Sequence, residues 1–138
     1  MKTLTSPETI PPISFEIGQP YTRNQIHEIL GGDKSSSFPQ RHKRIVCGCF
    51  NLERNPQAPQ VILIEDKAKV VEKAHLLLSQ DESIPVFVKR FSSHWVYQGY
   101  FRVLSYSTNE QEVEEMKKIS LRDNIVAVLH LEKVDSLF

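Results

Sequence analysis

The stretch spanning residues 84–106, IPVFVKRFSSHWVYQGYFRVLSY, constrains the fold more than any other. Two runs rich in β-branched and aromatic residues flank a short polar connection, Ser92-Ser93-His94, and predict a β-hairpin. Along the second arm, period-two alternation puts Trp95, Tyr97, Gly99, Phe101 and Val103 on one face. Val96, Gln98, Tyr100, Arg102 and Leu104 take the other. Aromatics crowd towards the turn, with Lys89, Arg90, His94 and Arg102 beside them. Aromatic faces flanked by cations suit a flat ligand that carries an anion, such as a nucleotide base with its phosphate. The same pattern describes a core hairpin whose cations snorkel at the rim.

The rest of the chain supplies elements to surround this hairpin. Residues 1–14 hold Pro7, Pro11 and Pro12 and are expected to be an extended arm. A helix over 21–30 has a capping-box pair, Thr22 and Gln25, and a Gly31-Gly32 stop. The polar loop 33–43 carries three serines, Phe38-Pro39 and a basic run, and either contacts a ligand or merely connects. Strands are expected over 44–50, where Gly48 marks a bulge or close approach, and over 61–64. Apolar residues recur at helical spacing over 67–79. A helix over 110–119 begins acidic and ends on Lys117-Lys118, and a strand over 125–131 follows. Neither regular βα alternation nor a glycine-rich phosphate loop is present. The expectation is one α+β domain over 1–138: a small, mixed, strongly bent sheet or open barrel with two to three peripheral helices.

Charge and cysteine content set bounds on function. The 17 Lys and Arg balance the 17 Asp and Glu, so no global field announces a nucleic-acid partner. Arg41-His42-Lys43-Arg44 is a local basic cluster, either a solvated loop or a phosphate grip. Cys47 and Cys49 sit on one face of the expected strand, which suits buried free thiols better than a disulfide or a zinc site. The N-terminus lacks an apolar signal region and no run reaches membrane-spanning length, so a cytoplasmic location without membrane partners is expected.

Catalytic motifs are sparse. There is no nucleophile elbow, no obvious Cys–His pair and no H-E-x-x-H, and the five histidines lack metal-ligand spacing. Glu65-Asp66-Lys67 follows the strand over 61–64, and an acidic-x-Lys pair there can hold magnesium if Glu53 or Asp33 supplies a further carboxylate. The same triplet also reads as a polar helix start.

Several short motifs combine into a likeness. Gly18-x-x-Tyr21-x-Arg23-x-x-Ile26, Leu30-Gly31-Gly32, Ile84-Pro85-Val86-Phe87 and WVYQGY together resemble DNA-reading modules attached to bacterial restriction endonucleases. More broadly, residues 15–106 are similar to the SRA and PUA-like superfamily, although the Y-D-G stretch of SRA domains is missing. The resemblance implies a compact barrel with an aromatic-lined concave face, and loops that enter a DNA groove. On this reading the chain is a non-catalytic DNA-binding module that recognises a 5-substituted cytosine and targets a nuclease domain or subunit, with no cofactor or metal. Trp95, Tyr97 and Tyr100 are the pocket aromatics, and Asn51, Asp33, His94 and Gln98 the groups for polar contact. Arg23, Arg41, Lys43, Arg44, Lys89 and Arg90 are the phosphate contacts. Tyr97 and Tyr100 share a face only if Gly99 breaks the alternation. The alternatives are a protein-interaction or regulatory domain, a magnesium-dependent nuclease using Glu53, Glu65 and Lys67, and RNA in place of DNA.

Overall fold

The computed structural model describes residues 15–90 and 93–134. The expected arm over 1–14 and Ser92 of the hairpin connection lie outside them. In chain order the elements are β1 (Pro20–Tyr21), α1 (Arg23–Leu30), β2 (Gln40–Arg41), β3 (Arg44–Ile45), β4 (Gly48–Asn51) and β5 (Val61–Glu65). Then come α2 (Ala68–Gln80), β6 (Ile84–Lys89), β7 (Trp95–Ser107), α3 (Glu110–Ser120) and β8 (Ile125–Lys133). The main sheet runs β4-β6-β7-β8-β5, with β1 added at the start of β7. β4 pairs with β6 in parallel and the other pairings are antiparallel. The sheet is mixed and does not close, because β4 and β5 remain its two edges. Three helices accompany it among the described residues. This is the α+β architecture that the sequence predicts.

Hydrophobic patterning divides the interior. Ile84, Val86 and Val88 of β6 face the main core, joined by Phe50, Ile62, Ile64, Phe101, Leu129 and Leu131, and α2 lays Ala74 and Leu77 on that face. Phe87 points the other way, into a cluster with Phe15, Ile26, Cys47, Cys49, Trp95 and Tyr97 under α1. α3 covers Leu63, Ile125 and Val128 through Val113.

The hairpin departs from simple alternation, and the departure organises the site. Ile84 pairs with Phe101 and Val86 with Gly99, but Phe87 pairs with Tyr97, so Gln98 is extra. This is a β-bulge, and Gly99 sits in it at φ 104°. The bulge flips the parity of β7. Trp95 and Tyr97 therefore join Phe87 on the α1 side while Phe101 enters the main core, although period two alone put all three on one face. Tyr100, opposite Pro85, returns to the side of Tyr97, so Gly99 does break the alternation. A second irregularity between Val103 and Ser105 and a third between Ile64 and Glu65 bend the sheet further. Gly99→Ala is expected to cost about 1–2 kcal/mol in chemical denaturation, because a side chain there is strained. Its Cβ would also lie 3.1 Å from Lys133 Cε and 3.3 Å from Ile17 Cδ1.

The strand expected over 44–50 is divided in two. Arg44–Ile45 folds back on Gln40–Arg41 through His42 and Lys43, both at positive φ, and only Gly48–Asn51 joins the main sheet. The Gln80 side chain, which accepts from Ile45 N at 2.9 Å and donates to Ile45 O at 2.8 Å, satisfies the first half. A Cβ on Gly48 would lie 2.6 Å from the Phe50 ring, so this glycine marks close approach. The capping box of α1 forms as expected: Thr22 Oγ1 accepts from Gln25 N at 3.1 Å and Gln25 Oε1 from Thr22 N at 2.8 Å.

Candidate functional site

A concavity forms where β5 fails to meet β4. It has a volume of 370 Å3. Phe38, Ile62, Leu63 and Val70 form its apolar wall, and residues 35–37 with Asn55 contribute polar groups. Arg54, Lys69, Lys73 and Arg122 place four cations on its lining against a single carboxylate, Glu65. The walls come from the loop before β2, the connection after β4, the edge strand β5, the start of α2 and the turn after α3.

The serine loop is pinned. Asp33 Oδ1 accepts from Ser35 N at 3.2 Å and Ser36 N at 2.8 Å, and Oδ2 accepts from Ser36 Oγ and Lys73 Nζ at 3.1 and 3.3 Å. Burial opposes the charge on Asp33, but the Ser36 bonds and Lys73 outweigh it and hold the carboxyl well below the usual range. Arg23 Nη2 donates to Asp33 O and Ser36 O at 3.2 and 3.0 Å, and Ser37 O accepts from Cys49 N at 2.9 Å. The loop thereby covers the free edge of β4. Phe38, set among polar residues of the loop, is buried edge-on against Phe50 at 5.6 Å. Across the cavity, Asn55 Oδ1 accepts from Leu63 N at 2.9 Å and ties the connection after β4 to β5.

Glu65 is the electrostatic hub of the other wall. It accepts from Arg54 Nη2 at 2.7 Å and Asn124 Nδ2 at 3.2 Å, and pairs with Arg122 at 3.1 Å and Lys67 at 3.6 Å. Burial raises its pKa, but the Asn124 bond and the cations prevail and the carboxyl titrates below its ordinary range. Lys67 stands at the N-cap position of α2 without a side-chain cap bond, so the triplet is a polar helix start in which Glu65 is largely buried and Lys67 reaches solvent. Among the described residues no group of three or more His, Cys, Asp and Glu is arranged to hold a metal ion.

The pocket candidates taken from the sequence lie elsewhere, and none lines the 370 Å3 cavity. Trp95 and Tyr97 are buried on the α1 side, with the Arg23 guanidinium 5.3 Å and the Lys89 ammonium 4.8 Å from the Trp95 ring centre. Phe15, Phe87 and Tyr97 pack ring against ring at 5.0–5.6 Å. Burial, with Tyr100 and Tyr21 nearby, pushes the Tyr97 hydroxyl up to about 12. Tyr100 meets Arg44 in a cavity of 260 Å3 also lined by Glu82, and Arg44 forms an ion pair with Glu82. Asn51 accepts from Glu53 N at 2.8 Å and closes a turn. Asp33 and Arg23 brace the serine loop. His94, Arg41, Lys43 and Arg90 are exposed.

Arg54, Lys69, Lys73 and Arg122 were not singled out from the sequence. Lys69 and Lys73 could have been, since residues four apart share a helix face. Arg122 could not, because only the turn between α3 and β8 brings it to β5.

No protein-family model matches the sequence, and no curated protein matches it significantly. Solved structures do match. An SRA domain, that of SUVH5 in a complex with hemimethylated CG DNA, superposes with a TM-score of 0.60 at 13% identity, covering 93% of this chain and 93% of that one. The modification-dependent restriction endonuclease TagI matches with a TM-score of 0.55 at 17% identity, covering 90% of this chain. This chain spans about half of that protein, 51%. Together with the bulged, unclosed mixed sheet, these matches identify the fold as that of an SRA-like module.

Proposed function

We propose that the chain is a DNA-binding module that recognises a 5-substituted cytosine, performs no bond cleavage itself and directs a nuclease to modified DNA. The observation that carries this reading is the cation-lined 370 Å3 cavity at the unclosed edge of an SRA-like sheet. A cavity of about 150 Å3 holds a six-membered ring such as benzene. The larger volume accommodates a pyrimidine together with its substituent. Extruding a base from a duplex costs a few kcal/mol, which contacts inside the pocket must offset. The apolar wall of Phe38, Ile62, Leu63 and Val70 supplies surface for the ring and a 5-substituent, and the serines and Glu65 supply polar groups for its edge. Exposed Lys69 and Arg54 are the candidates for contact with flanking phosphates, and Arg41 and Lys43, exposed at the β2–β3 turn, are candidates for phosphates further along the duplex.

A binding screen tests this reading. Duplexes carrying unmodified, 5-methyl- and 5-hydroxymethylcytosine, and an RNA of the same sequence, are titrated at several salt concentrations. Preference for a modified duplex is expected, with log affinity falling linearly against log salt. Equal affinity for all duplexes would overturn modified-base reading, tighter RNA binding would change the ligand class, and magnesium-dependent cleavage would add a catalytic role. Lys69→Ala should reduce the salt slope by roughly 0.9 without altering the melting temperature, and a joint Arg41→Ala, Lys43→Ala change by roughly twice that. Unchanged slopes would leave these cations as solvated surface only.

A further inference from the structure

The charges around the cavity do not balance. Glu65 is shared by Arg54, Arg122 and Lys67, so one carboxylate answers three cations. Lys73 is answered by Asp33, which does not line the cavity, and Lys69 forms no ion pair among the described residues. Two of the lining cations are largely buried. The Lys73 side chain is 19% exposed and that of Arg122 13%, the first on α2 and the second on the turn after α3. Arg54 and Lys69 reach solvent. Burial and the charge of Arg54 push the Arg122 guanidinium below its ordinary pKa, and Glu65 only partly offsets them. Both inner cations keep donors to give. Lys73 Nζ donates to Asp33 Oδ2 and Ser36 Oγ at 3.3 and 3.0 Å and retains a further N–H. Arg122 donates from Nη1 to Arg54 O at 2.6 Å and pairs through Nη2 with Glu65 at 3.1 Å, which leaves the rest of its fork.

Resting on the reading of the chain as a modified-base reader, we propose that the base it selects is 5-carboxylcytosine, with the 5-carboxylate held by Lys73 and Arg122. A cavity with surplus positive charge is costly to seal with a neutral ligand, because its cations lose water and gain no partner. A methyl or hydroxymethyl group brings no charge to offset that loss. A 5-carboxylate brings a negative charge and accepts charge-assisted hydrogen bonds, roughly twice as strong as neutral ones. Its planar pair of oxygens also matches the fork of a guanidinium. A backbone phosphate carries charge of the same sign, so the experiment must separate the two.

Duplexes of one sequence, carrying unmodified, 5-methyl-, 5-hydroxymethyl- or 5-carboxylcytosine, are titrated with wild type, Lys73→Gln, Arg122→Gln and Lys73→Arg. Wild type should bind the 5-carboxyl duplex about tenfold more tightly than the 5-hydroxymethyl duplex. Every affinity falls as salt rises, but this ratio should persist, because largely buried charges are screened less than exposed ones. Each glutamine variant should abolish the preference, and Lys73→Arg, which keeps the charge, should retain it. A ratio taken on one sample is unaffected by any unfolded share, so loss of stability in a variant does not imitate the result. Equal or weaker wild-type binding of the 5-carboxyl duplex overturns the assignment and leaves the modified-base reader intact. So does a preference that survives both glutamine changes or collapses with salt. Weakening by the same factor on every duplex would make Lys73 and Arg122 phosphate contacts and overturn it too. A wild type that binds every duplex equally, or none, overturns the modified-base reading as well.

Discussion

Trp95→Ala should lower the free energy of unfolding by about 3–5 kcal/mol, comparable to Phe101→Ala in the main core. The indole is only 8% exposed and packs with Phe15, Ile26, Phe87 and Tyr97, so truncation leaves a void that the sheet and α1 cannot easily close. Arg23 and Lys89 both lie over the ring, each such contact contributing about 0.5–1 kcal/mol at partly exposed positions. Arg23 also holds Asp33 O and Ser36 O, so the damage extends to the loop that walls the cavity. Urea denaturation measures the loss, and DNA titration below the variant's melting point measures binding separately. A variant of nearly native stability that has lost about 1–3 kcal/mol of binding would instead make Trp95 a stacking surface for a base.

Glu65→Ala should cost about 2–3 kcal/mol at neutral pH. A fully buried pair loses more when one partner is removed, but Arg54 and Lys67 reach solvent here and screening reduces their share. What remains is the contact with Arg122, where both side chains are largely buried, and the bond from Asn124. The pH dependence has a definite sign. The folded-state pKa of Glu65 lies below its unfolded value, so its contribution is complete above about pH 4.3 and disappears as pH falls through the folded value. Urea midpoints of wild type and variant should therefore differ at pH 7 and converge as pH falls below the unfolded-state value. A difference that persists undiminished in acid would mean that packing, and not ionisation, accounts for the loss. Arg122 and Arg54 lose their common anchor in this variant, so weaker DNA binding should accompany the lower stability.

Much of the fold was legible in local patterns. The capping box at Thr22 and Gln25, the apolar stripe of α2 and the charge gradient of α3 each report a decision made within a few residues. The hairpin was equally plain, and so was the close approach at Gly48. Phe38 was harder, because a phenylalanine among serines has no periodicity to reveal which way it turns. The division of the strand over 44–50 was invisible for a related reason. Its first half is satisfied by the Gln80 side chain, 35 residues away in the sequence, and no local propensity encodes that bond.

By itself the sequence determined the three helices, the central hairpin, the α+β class and the resemblance to the SRA and PUA-like superfamily, since each rests on residue types and spacings within short windows. Only the tertiary structure decided which aromatics face which side of β7, because one extra residue at Gln98 inverts the alternation as far as the second irregularity, between Val103 and Ser105, and Gly99 only permits the inversion. It alone decided that the cavity is walled by residues 35–38, Asn55, β5, the start of α2 and Arg122. Those segments are far apart in the chain. They meet only in the assembled domain, through contacts between segments that no local propensity encodes.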